Sequence, residues 1–112
     1  MKKLFFFLFI FMVVAFQFCS SSRKSQTATP KLSYNSNVQP IIASSCSPCH
    51  IPPGGNKKAL NTYTAAKDNI DDILERIQKN PGDRGFMPFK HPKLPDSTIQ
   101  VFIQWKNDGL GE

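Results

Sequence analysis

Among 112 residues there are only two histidines, three cysteines, three methionines and one tryptophan. That scarcity bounds metal and redox chemistry at once. A structural zinc takes four Cys or His ligands, and past the N-terminal region only Cys46, Cys49, His50 and His91 are on offer. Those four would just suffice. No internal repeat is visible, and no stretch carries a convincing strand pattern, so a thioredoxin-like alternation of strands and helices around Cys46 and Cys49 has no support. The excess of positive charge is also smaller than it looks. The formal net charge is +6, but from Lys31 onward ten basic residues face eight acidic ones, which makes nucleic-acid binding a poor reading.

Met1-Lys2-Lys3 precedes an uncharged apolar run, Leu4 to Phe16, followed by Gln17, Phe18 and Cys19. A basic start, a short apolar stretch and a polar exit describe a secretory signal over residues 1–18 better than a membrane span, which needs roughly 20 apolar residues. Cys19 and the serines after it resemble the lipidation site of a bacterial lipoprotein, although Phe16 and Phe18 stand where that signal has an aliphatic and a small residue. The resemblance implies acyl chains on Cys19, each buried CH₂ holding the protein to a membrane by about 0.8 kcal/mol. A plain cleaved signal and a permanent N-terminal anchor are the alternatives. Either export route places Cys46 and Cys49 in an oxidising setting, as a disulfide or as a cofactor attachment.

Residues 19–33 are rich in Ser and Thr and read as a flexible linker. From residue 34 to 112 one domain must build its own core. Val38, Ile41, Ile42 and Cys46 share a helix face over Ser36 to Ser45, with Asn35 or Ser36 as its cap and Pro40 near its start. Residues 51–61 form a Pro- and Gly-containing loop, and a short helical turn follows around Thr62 to Lys67. Ile70, Ile73, Leu74 and Ile77 predict a helix over Asp68 to Gln78, with Asp71, Asp72, Glu75 and Arg76 on a solvated face. Gly82 to Pro95 is a loop carrying Phe86, Met87 and Phe89, large apolar groups that need a surface to cover. A last helix runs from about Asp96 to Asn107, and Gly109 is its stop. The domain is therefore expected to be all-α, with three or four helices. A core drawn from about 80 residues is thin on its own.

Cys46-Ser47-Pro48-Cys49-His50 is a Cys-x-x-Cys-His sequence, the attachment signature of c-type haem. Two thiols at that spacing reach the two vinyl groups of one porphyrin, and the adjacent imidazole then lies over the iron. Haem would also fill the thin core. Met87 is the only methionine outside the N-terminal region and so the candidate for the second axial position. His/Met ligation raises the iron's potential and suits electron transfer. His91 is the alternative ligand.

Val38-Gln39-Pro40-Ile41-Ile42 leading to Cys46 and His50, then Met87-Pro88, then Ile99 to Gly109 with Trp105, resembles the small monohaem class I cytochrome c domains of bacteria over about Tyr34 to Leu110. The resemblance implies that fold around one haem c held through Cys46 and Cys49, between His50 and Met87, with the first and last helices crossing beside it. It implies that Pro52 or Pro53 lends a carbonyl to the second nitrogen of His50. Leu60, Tyr63, Ile73, Ile77, Phe86, Phe102 and Trp105 become candidates for the pocket wall.

The expected function is outer-sphere electron transfer with redox partner proteins on the periplasmic side, not enzymatic turnover. Arg84, Lys90 and Lys93 bracket Met87 and could draw an acidic partner toward the haem edge. A ligand-sensing haem, a subunit of a larger oxidoreductase and a peroxidase are the alternatives. For a peroxidase, nothing near His91 supplies an acid–base partner.

Overall fold

Ser33 opens the first helical element: its hydroxyl accepts the N–H of Ser36, and its own N–H donates to the side-chain oxygen of Asn37 at 2.9 Å. The computed structural model describes residues 30–112, and the expected signal over 1–18 and Cys19 lie outside them. The cap falls ahead of the expected Asn35 or Ser36 because the chain first makes a wide π-helical turn, Tyr34–Val38, in which Gln39 donates to Tyr34 five residues back. Helix α1, Gln39–Ser45, follows. Pro40 accounts for the wide turn. It has no N–H for the carbonyl four residues earlier, and its ring crowds that carbonyl.

The helical turn expected around Thr62 to Lys67 is α2, Tyr63–Asp68, and the helix expected over Asp68 to Gln78 is α3, Ile70–Gln78, which starts two residues later. Asn69 interrupts them. Its side-chain amide donates to the carbonyl of Ala65 at 2.8 Å, and its backbone leaves the helical region at φ −112°, ψ 14°. A short polar side chain has thereby competed for a helical hydrogen bond. Thr62 caps α2 by accepting the N–H of Ala65. Helix α4 spans Asp96–Asn107, as its apolar spacing predicts, and Gly109 follows at φ +97°, where a side chain would be strained.

Helix α4 packs on both the first helical segment and α3. Val38, Ile42, Phe102 and Trp105 are the largest side chains wholly removed from water. Tyr34 is buried beside Trp105 and Tyr63, with ring centroids about 6 Å away. Among the described residues the structure is helical without strands, and no helix is long and apolar enough to cross a membrane.

The two ends of the fold are clasped. The N–H of Leu32 donates to the Asp108 carboxylate, and that of Tyr34 to the carbonyl of Gly111, both at 2.8 Å. Trp105 Nε1 donates to the same Gly111 carbonyl at 2.7 Å, and the Tyr63 hydroxyl to that of Leu110. Leu32 and Ser33, expected to close the linker, thus belong to the folded unit.

Candidate cofactor site

Cys46 ends α1, its N–H still bonded to the carbonyl of Ile42. The next turn closes with the N–H of His50 on the carbonyl of Cys46 at 3.0 Å, so Cys46, Cys49 and His50 sit on one turn. Both cysteines are free thiols. Cys49 is exposed, whereas Cys46 packs against the core, and burial pushes its thiol up to about 11. A disulfide-exchanging cysteine needs the opposite shift, toward thiolate.

The segment after the turn doubles back along it. The N–H groups of Lys57 and Leu60 donate to the carbonyls of Cys49 and His50, at 3.1 and 3.0 Å. This return brings the carbonyl of Lys58 to 2.6 Å from His50 Nδ1, which must donate because a carbonyl only accepts. The expected acceptor is Pro52 or Pro53; the doubled-back backbone delivers the carbonyl of Lys58 instead. Nε2 of His50 is left available for an iron.

Met87 is brought in by main-chain bonds. Its N–H donates to the carbonyl of Arg76 in the last turn of α3, where such carbonyls lack helical partners. The ammonium of Lys79 bonds the carbonyl of Arg84, and that of Lys93 bonds the carbonyl of Gln78, each at 3.1 Å. Lys93 is thus engaged in holding the loop, whereas Lys90 lies over the ring of Phe89.

Cys46, Cys49, His50, Met87 and His91 all line one cavity of about 510 Å³. Ligand pockets run from about 300 to 1,000 Å³. Leu60, Ile73, Ile77 and Phe102 form its apolar wall, as expected of them. Tyr63, Phe86 and Trp105 do not reach it. Trp105 and Phe86 are buried elsewhere, and Tyr63 is bonded to Leu110. Phe89 also lines the cavity and stays 65% exposed, so the loop leaves one large aromatic at the surface.

Two of the charges expected on a solvated face also line the cavity. Arg76 Nε bonds the carboxylate of Asp72 at 2.8 Å, and both residues line the cavity. The signal lay in their register, since Asp72 and Arg76 immediately precede Ile73 and Ile77 and so border the apolar stripe. Among the described residues no three of His, Cys, Asp or Glu are grouped so that they could hold a metal ion. Comparison with protein-family models, curated proteins and solved structures found no match.

Proposed function

We propose that this chain is an exported monohaem c-type cytochrome that transfers electrons, with haem c attached through Cys46 and Cys49 and His50 and Met87 as axial ligands. One observation carries the reading: those four side chains converge on a single cavity whose wall is otherwise mainly apolar. A slot of that kind suits a flat apolar macrocycle, two thiols suit thioether bonds, and the Arg76 cation suits a carboxylate of the same group.

When bound, haem supplies one-electron cycling between ferric and ferrous iron. His50 presents Nε2 while its other nitrogen is held by the Lys58 carbonyl, which fixes the tautomer and the ring plane. Met87 offers a neutral thioether from a loop fastened by its own main chain. Leu60, Ile73, Ile77 and Phe102 would shield the bound group from water. Transfer to redox partner proteins then needs neither a substrate site nor an acid–base pair, and so the chain acts as a carrier and not as an enzyme. Acyl chains on Cys19 would hold it to a membrane on the periplasmic side.

His91 lines the same cavity, which keeps it as the alternative axial ligand. An intact mass and absorbance spectra of protein matured in a host that attaches c-type haem test the proposal together. The expected result is one covalent haem, low-spin spectra in both oxidation states and slow carbon monoxide binding. Rapid carbon monoxide binding would point to a gas-sensing haem, and a mass without haem would sink the reading.

A further inference from the structure

Gly55 lies flat against the turn that bears the cysteines and His50. A Cβ built on it would overlap the carbonyl oxygens of both Pro48 and Cys49, whereas one on neighbouring Gly54 would meet only Pro48 Cβ, at an ordinary 4.0 Å. This close approach precedes the three contacts that seat the imidazole: Lys57 N–H on Cys49, Lys58 carbonyl on His50 Nδ1 and Leu60 N–H on His50. Lys58 is held at its other end as well. Its ammonium donates to the side-chain oxygen of Asn69 at 2.8 Å, and Asn69 is itself tied to Ala65.

We infer that Gly55 and Asn69 are positioning residues for His50, acting through Lys58, and that together they set how strongly the imidazole donates to the iron. The inference rests on the haem reading above. A short hydrogen bond from Nδ1 to a carbonyl makes the imidazole a stronger donor and favours ferric iron. Moving Lys58 away weakens that bond, favours ferrous iron and raises the potential.

The test compares Gly55→Ala, Asn69→Ala and the control Gly54→Ala in haem-loaded full-length protein. Gly55→Ala is expected to lower the ferric-to-ferrous ratio at a fixed potential by about threefold to tenfold, the upper end being about 59 mV for one electron. The Nδ1 proton of His50 in the ferrous protein should exchange faster with water and resonate upfield. Asn69→Ala carries no charge change and should shift both readouts in the same direction by less. Gly54→Ala should shift neither. If Gly55→Ala yields no haem-loaded protein, Asn69→Ala decides. Unchanged potential and proton exchange in the haem-loaded variants would overturn the inference and leave the haem reading intact. Absence of haem from the parent protein would instead overturn the haem reading itself.

Discussion

The amide N–H of Met87 donates to the carbonyl of Arg76, 3.2 Å away in the last turn of α3. The loop that carries the sulfur is therefore fastened through a main-chain group that exchange of Met87 for any residue but proline leaves in place. On the proposed ligand set, replacing the methionine should remove one iron ligand without releasing the loop.

Met87→Ala is accordingly expected to keep its covalent haem, lose the long-wavelength sulfur-to-iron absorption band of the oxidised protein and bind carbon monoxide rapidly. His91→Ala should keep the band and bind slowly. The reverse pattern in the two spectra would transfer the ligand role to His91.

Arg76 and Asp72 give a prediction of opposite signs. On the haem reading, a cation beside the iron would disfavour the ferric charge and a carboxylate would favour it. Arg76→Gln should lower the midpoint potential, and Asp72→Asn should raise it. Both side chains are about two-fifths exposed, so the shifts should shrink as ionic strength rises. Voltammetry at low and high salt reads both effects.

Asp108 makes acid stability dependent on the clasp between the chain ends. The Leu32 N–H, then the Gln104 amide and the charge of Lys31, hold its carboxyl below the ordinary value of 3.8. A depressed folded-state pKa contributes stability that is complete above the unfolded value of about 3.9 and is lost as the pH falls through the folded one. Asp108→Asn should remove that contribution. Between pH 6 and pH 3 the parent protein's denaturation midpoint should then fall more than the variant's.

The hydroxyl of Tyr34 is buried with no hydrogen-bond partner among the described residues, and burial raises its pKa. A buried polar group left unpaired costs about 1–3 kcal/mol. Tyr34→Phe keeps the ring against Tyr63 and Trp105 and removes that cost. Urea denaturation should show the variant more stable by roughly 1 kcal/mol. Equal or lower stability would mean that the hydroxyl has a partner in solution.

Helix α4 was legible because Ile99, Phe102, Ile103 and Gly109 act through spacing and backbone freedom, both properties of residue type. The break between α2 and α3 was legible, but its position at Asn69 was not, because a helical pattern is blind to one side chain that takes a carbonyl from its own turn. Pro40 was visible, but residue type alone does not show that its missing N–H would be met by a wider turn and not by a later helix start. At the site, Cys46, Cys49, His50 and Met87 could be read, and the structure places them around one cavity. The partner of His50 is a main-chain oxygen. Every residue has one, so only the path of the loop selects Lys58. Asp72 and Arg76 stand at the border of the apolar stripe, so they line the cavity while staying about two-fifths exposed, and a two-way division into apolar and solvated faces does not capture that.

The clasp at Leu32, Tyr34, Asp108 and Gly111 also fixes where mechanical load enters the domain. Tension on the chain ahead of Leu32 passes into the end of α4 and its following turn. The whole of α1 separates that point from the turn bearing Cys46 and Cys49. If Cys19 carries the proposed lipid tether, a pull on it would thus be borne by the junction of the two chain ends before it strained the seat of His50.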